Sequence, residues 1–316
     1  MAEKRATREA YGEALVELGH EYPNLVVLEA DLAKSTTTIK FKKEFPDRFF
    51  DCGVAEQNMM AMAAGLAATG KICYTGSFAI FATGRAFEQI RNTISYPRFN
   101  VKICPTHAGI TVGADGASHQ TFEDIALMRV IPGMTVISPA DFYEAKKAIK
   151  KAAEIDGPVF VRLGRAAVPT IFDDSYEFVP GKAIKLQEGS DVTLFATGVM
   201  VEVCLQAASN LKEQGVNAEV FNISTIKPLD EKAIIESVMK TGRAVVAEEH
   251  SIIGGLGSAI AELLSSECPV PLARVGIRDL FGRSGEPEEL MRYYGLTHID
   301  ISQAVKIIMD RSQRPK

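Results

Sequence analysis

Short runs of β-branched and aromatic residues recur along this chain, each set off from the next by a segment of helix length. That alternation restricts the fold more than any other feature. Apolar runs fall at 24–28, 71–74, 101–104, 135–138 and 159–163, interleaved with helix-patterned stretches at 6–20, 57–68, 84–94 and 142–154. Strands spaced in this way argue for a parallel sheet covered by helices. A second series follows, with strands at 191–197, 218–222, 244–248 and 272–275 and helices at 201–214, 231–241 and 256–266. Between the two series runs a polar stretch with Pro169, Pro180 and the pair Asp173–Asp174, the composition of an interdomain connection. The expected fold is therefore α/β, with two domains that are each a mostly parallel sheet flanked by helices. They are expected over 1–170 and 189–316, joined by a linker over 171–188. A chain of 316 residues is long enough for two such cores.

Composition narrows the function classes. A net charge of -5 provides no basic footprint, so nucleic acid is not an expected partner. No apolar run is long enough for a membrane span, and the charged, helix-patterned start does not resemble a signal peptide. Cys52, Cys73, Cys104, Cys204 and Cys268 are odd in number and scattered, with no CxxC pair, which points away from disulfides and zinc. A cytoplasmic protein with no metal site of its own is expected.

Three stretches carry chemistry. Thr106 to Asp124, THAGITVGADGASHQTFED, follows a strand and holds His107, His119, Asp115 and three glycines that allow close backbone approach. A loop beyond a strand's carboxyl end is where open α/β sheets bind ligands. Glu56 opens an otherwise uncharged helix rich in Ala and Met. Two readings stand for it: a helix cap near the positive end of the dipole, or an acid tuned by apolar walls for proton exchange. Phe78 and Phe81 lie three apart at a strand-to-helix passage, where two rings could sandwich a flat heterocycle or pack in the core. Arg85, Arg91 and Glu88 read as a solvated or intersubunit helix face.

Together these segments resemble the transketolase family, over its pyrimidine-binding and C-terminal domains. The pattern TH-A-G-x(3)-G-x-DG-x-S-HQ over Thr106–Gln120 carries most of the resemblance, supported by G-x-x-E-x-x-M from Gly53 and S-F-x-x-F from Ser77. The resemblance implies thiamine diphosphate as cofactor, with Glu56 bonded to a ring nitrogen of its aminopyrimidine so that the ring can take up the thiazolium proton. It implies that Phe78 and Phe81 hold the pyrimidine, with Gly84 where long transketolases often carry a third ring, and that Asp31 lies close to the cofactor. His107 and His119 match substrate-binding histidines that assist proton transfer, and Asp115 matches the residue that reads a sugar hydroxyl. Arg8 and Arg165 match phosphate-binding arginines, and Ser35 a nearby hydroxyl.

The family's diphosphate-binding element, a GDG with paired Asn further on, has no counterpart in this sequence. By resemblance the chain is one subunit of a split enzyme, with Mg2+ bound mainly by an N-terminal partner subunit. A homodimer of this chain within a heterotetramer is expected, acting on sugar phosphates. The beta subunits of 2-oxo acid dehydrogenases share the layout but usually carry a QHSQ-like sequence. Deoxyxylulose-phosphate synthase shares ADGxxHQ but has Asp-Arg in place of Thr106–His107. A non-catalytic scaffold subunit is the remaining alternative. The segment EEHSIIGGLGSAIAELLSS, Glu248 to Ser266, reads as structural, and His250 as a core or interface residue.

Overall fold

The computed structural model describes residues 3–312. Its larger sheet has seven strands in the order Thr225–Lys227, Thr135–Ile137, Val159–Val161, Val101–Ile103, Ile72–Gly76, Leu25–Glu29 and Phe49–Asp51. All adjacent pairs are parallel except the first, where Thr225–Lys227 runs antiparallel to Thr135–Ile137. The central strands LVVLE and ICYTG are buried along their whole length. A parallel strand covered by helices on both faces needs that continuous apolar content.

The smaller sheet has five strands, in the order Leu272–Ile277, Ala244–Ser251, Val192–Ala196, Ala218–Asn222 and Ile184–Gln187, the last of them antiparallel. The segment expected as a linker thus supplies an edge strand to this sheet. It could not be read from sequence because Ile184, Leu186 and Gln187 are only half-buried, Lys185 is exposed and the run is four residues long. A third pairing, Lys4–Ala6 with Ala167–Pro169, ties the start of the first half to its end.

The helices follow from side-chain spacing. Phe142–Ala152 buries Phe142, Ala145, Ala148, Ile149 and Ala152, an i, i+3, i+4 stripe, and Asp141 caps it by accepting from the Glu144 amide at 2.9 Å. This helix packs against Thr7–Glu21. The Tyr74 and Tyr11 phenols, both buried, donate to the carbonyls of Ile149 (2.8 Å) and Thr75 (3.1 Å). Left unpaired, each would cost roughly 1–3 kcal/mol. One apolar cluster runs across both halves, from Val26, Leu28 and Phe160 to Phe195, Phe221 and Leu256.

The expected helix 84–94 is a correction. The chain there winds in wide π-helical turns over Ile80–Arg85 and Gln89–Ser95. Such turns re-aim side chains and recur at functional sites. Here they bring Arg85 back over the carboxyl edge of the sheet.

Candidate functional site

Every candidate residue from sequence lies at or just beyond the carboxyl edge of the large sheet, apart from Arg8 on the helix Thr7–Glu21. Leu25–Glu29 leads to Asp31, Phe49–Asp51 to Glu56, Ile72–Gly76 to Phe78 and Phe81, Val101–Ile103 to the histidine loop, and Val159–Val161 to Arg165. Ligands bind on this edge in open α/β sheets because the loops converge there.

Glu56 begins the helix Glu56–Ala68 and is 1% exposed. The sequence suggested either a cap or an acid in a wholly apolar wall. The structure shows neither alone: its Oε2 accepts from Arg85 Nη1 at 2.8 Å, and no side chain caps Ala55. Arg85 also lies over the Phe81 ring, 4.9 Å from its centroid. The sequence reads Arg85 as part of a solvated or intersubunit helix face; its side chain is 49% exposed, but its Nη1 is turned to Glu56.

Phe78 and Phe81 do not form an open slot. Their rings lie 6.1 Å apart at 19°, less than the roughly 7 Å that an inserted ring needs for two van der Waals contacts. Phe78 is instead stacked on His107 at 3.8 Å, and Phe81 meets the edge of His119 at 5.4 Å. The aromatic pair therefore joins Glu56 and Arg85 on one side to the histidines on the other.

His107 is 3% exposed and sits at φ +60, in the left-handed region that a non-glycine residue occupies at a cost of about 1–3 kcal/mol. Burial, with Arg8, Arg165 and His119 close by, pushes it down to about 3. The sequence suggested proton donors near neutral pH. His107 is instead a neutral imidazole there, suited to hydrogen bonding, and its Nδ1 pairs with Thr106 Oγ1 at 2.8 Å. His119 Nδ1 pairs with Ser118 Oγ at 3.0 Å.

Arg8 and Arg165 stand close enough that burial, then Arg165, lowers the Arg8 guanidinium below its usual value. Two cations held together make a place for an oxyanion. Arg8 Nη1 donates to the Ser35 carbonyl at 3.0 Å, so the Ser35 backbone, rather than its hydroxyl, anchors the arginine. Arg165 donates to the Val112 carbonyl and lies 3.9 Å from Asp115. Asp31 is also at φ +60, and its amide bonds Asp51 at 3.1 Å. Its side chain lies on the same edge but outside the contacts described above.

One further acid was missed. Glu29 is fully buried beneath the loop that carries Asp31 and Ser35. It accepts from Thr38 (2.6 Å), Thr36 (2.9 Å) and the Ala30 amide (3.3 Å). The glutamate ends a strand, and only its two threonine partners, seven and nine residues on, could have signalled the clamp. Among the described residues no group of three or more His, Cys, Asp and Glu side chains is placed to hold a metal ion.

Residues 3–170 match the family model for the transketolase pyrimidine-binding domain, and 181–301 that for the transketolase C-terminal domain. The chain belongs to the transketolase family. A putative transketolase C-terminal section from Methanocaldococcus jannaschii is 53% identical over 95% of both chains. The 6-deoxy-6-sulfo-D-fructose transketolase subunit SqwH of Clostridium sp. (strain MSTE9) is 44% identical, over 98% of this chain and 96% of its own. A solved structure described as a split-gene transketolase, inactive beta4 tetramer, superposes with a TM-score of 0.91. It is 53% identical and covers 96% of this chain and 98% of its own. Both sheets, mostly parallel and flanked by helices, are accordingly those of transketolase domains.

Proposed function

We propose that this chain is the C-terminal subunit of a two-chain, thiamine-diphosphate-dependent transketolase. The complex would transfer a two-carbon ketol unit from a ketose phosphate to an aldose phosphate. One observation carries the reading: contacts run from the buried Glu56 carboxylate through Arg85, Phe81 and Phe78 to His107, with Arg8 and Arg165 near enough to act on that histidine's charge. The first end fits an aminopyrimidine. Glu56 would bond a ring nitrogen, Phe81 would carry the ring's face, and Asp31 lies on the same edge. When bound, thiamine diphosphate supplies the carbanionic carbon that takes up the two-carbon unit.

The second end fits an oxyanion-terminated sugar. Arg8 and Arg165 would hold the oxyanion, with Ser35 fixing Arg8, while His107, His119 and Asp115 meet hydroxyls. A phosphate and a sulfonate present similar oxygens, and the sulfo-fructose relative supports this substrate class. Xylulose 5-phosphate, ribose 5-phosphate and glyceraldehyde 3-phosphate are the members we expect.

The N-terminal partner subunit would bind the diphosphate and Mg2+, in a heterotetramer built on a homodimer of this chain. The description of the split-gene relative's beta4 tetramer as inactive supports a chain that needs its partner. Five free cysteines suit a reducing cytoplasm, and no helix of the described residues is long and apolar enough to cross a membrane.

Calorimetric titration of thiamine diphosphate with magnesium tests the reading. No heat with the chain alone and saturable binding with the partner present, followed by turnover of xylulose 5-phosphate, is the expected result. Tight binding to the chain alone would overturn the split-subunit assignment. Arg85 covers the Glu56 oxygen and Phe81 face that the ring would use. Its side chain is half exposed, so this contact is worth on the order of 1 kcal/mol. Arg85→Ala is therefore expected to tighten cofactor binding by the assembled complex up to about fivefold. Weaker binding in the same titration would make Arg85 a ligand rather than a competitor.

A further inference from the structure

The loop bearing His107, Asp115 and His119 is built by the first half of the chain, yet its backbone is gripped by the second. Glu249, on the strand Ala244–Ser251, is 3% exposed, and its Oε1 accepts from the Thr111 amide at 2.8 Å. The carboxyl lies flat against the loop. A Cβ on Gly109, which has φ +84, would meet it at 2.2 Å. Two more grips come from the same half: the Ser251 amide donates to the Phe122 carbonyl at 2.8 Å, and Gln120 Nε2 donates to the Arg283 carbonyl at 2.9 Å.

Behind Glu249 stands a buried cation. Arg162 donates through Nε to Asp124 at 2.8 Å and through Nη2 to the Glu249 carbonyl at 2.9 Å, and its Nη1 lies 3.7 Å from Glu249 Oε2. Arg162 and Asp124 already balance in charge. Glu249, like the neighbouring buried Glu248, is thus an acid that the pair does not require for neutrality. Burying it is unfavourable, and its main hydrogen bond to another element goes to the histidine loop.

We propose that Glu249 is a positioning residue through which the C-terminal domain sets the histidine loop for substrate. Its carboxylate fixes the backbone at 109–111, four residues or fewer from His107, whose left-handed conformation has to be held from outside. The role in turnover rests on the transketolase reading, whereas the placement of His107 does not.

Glu249→Gln tests both. The amide keeps the shape and can still accept from Thr111, but it turns an N–H donor toward Arg162 and loses the charge. In the assembled two-chain enzyme, kcat/KM for the sugar phosphate is expected to fall ten- to a hundredfold, the scale of a small misplacement of binding groups. The Kd for thiamine diphosphate should change less than twofold. In the chain alone, NMR of histidine ring signals should show His107 and His119 shifted while His20 and His298 stay in place. A purely structural role would lower the melting temperature and leave those ring signals and kcat/KM unchanged, and that result would overturn the proposal. Shifted ring signals in a chain whose wild-type complex turns over no sugar phosphate would uphold the positioning and overturn the transketolase reading.

Discussion

Replacing Glu56 by Ala is expected to lower turnover of the assembled two-chain enzyme about a thousandfold, near the middle of the range for loss of a positioned proton-exchanging group. The fold should survive the change. Glu56 is buried, but its charged partner Arg85 is 49% exposed at the side chain, so the guanidinium left behind can hydrate where it stands. The substitution therefore strands no buried charge, the circumstance that makes broken ion pairs costly. Steady-state turnover beside a melting curve separates the outcomes. Activity retained with an unchanged melting temperature would mean that Glu56 activates nothing and that the chain only supports its partner.

A second large effect concerns Glu29 and pH. Burial, only partly offset by Thr38, Thr36 and the Ala30 amide, raises its carboxyl to about 7, from 4.5 in the unfolded chain. Asp51 is the charged neighbour that adds to the rise, while Tyr11 and Cys52 lie within reach of its charge. Between pH 4.5 and 7 the native state binds the proton that the unfolded chain releases. Stability from this group is complete below 4.5 and is lost as pH rises through 7, by about 3 kcal/mol at 1.36 kcal/mol per unit. His107, pushed down to about 3, works in the opposite direction below 6.5, so the whole-protein curve blurs the effect. The difference between wild type and Glu29→Gln isolates it. Urea unfolding at pH 5 and pH 8 should show the wild type losing about 2.5 kcal/mol relative to the variant. Parallel losses would show that Glu29 does not titrate in this window.

The sequence made the layered α/β plan legible because strands such as LVVLE and ICYTG are apolar throughout and have helix-length spacers. The histidine loop was legible for a similar local reason: glycines, two histidines and an aspartate crowd one strand exit. Long-range partners were not. Arg85 reaches Glu56 across 29 residues, and only because the chain winds in wide turns that no 3.6-residue periodicity announces. Glu249 reaches Thr111 across 138 residues, and nothing near either residue marks the pairing. Phe78 and Phe81 are close in sequence and lie side by side, but the stacking of Phe78 on His107, which comes from another strand exit, had no local signal.

The strand Thr225–Lys227 closes the large sheet from the far half of the chain, and that has a consequence during synthesis. The neighbouring strands Thr135–Ile137 and Val159–Val161 leave the ribosome first, and 66 further residues (227 − 161) must follow before the edge can be covered. At about 5–20 residues per second this is a delay of roughly 3–13 s, during which Thr135–Ile137 presents unpaired backbone groups. A newborn chain therefore carries an adhesive edge for seconds, and crowded polysomes translating this message are where mispairing between neighbouring copies would begin.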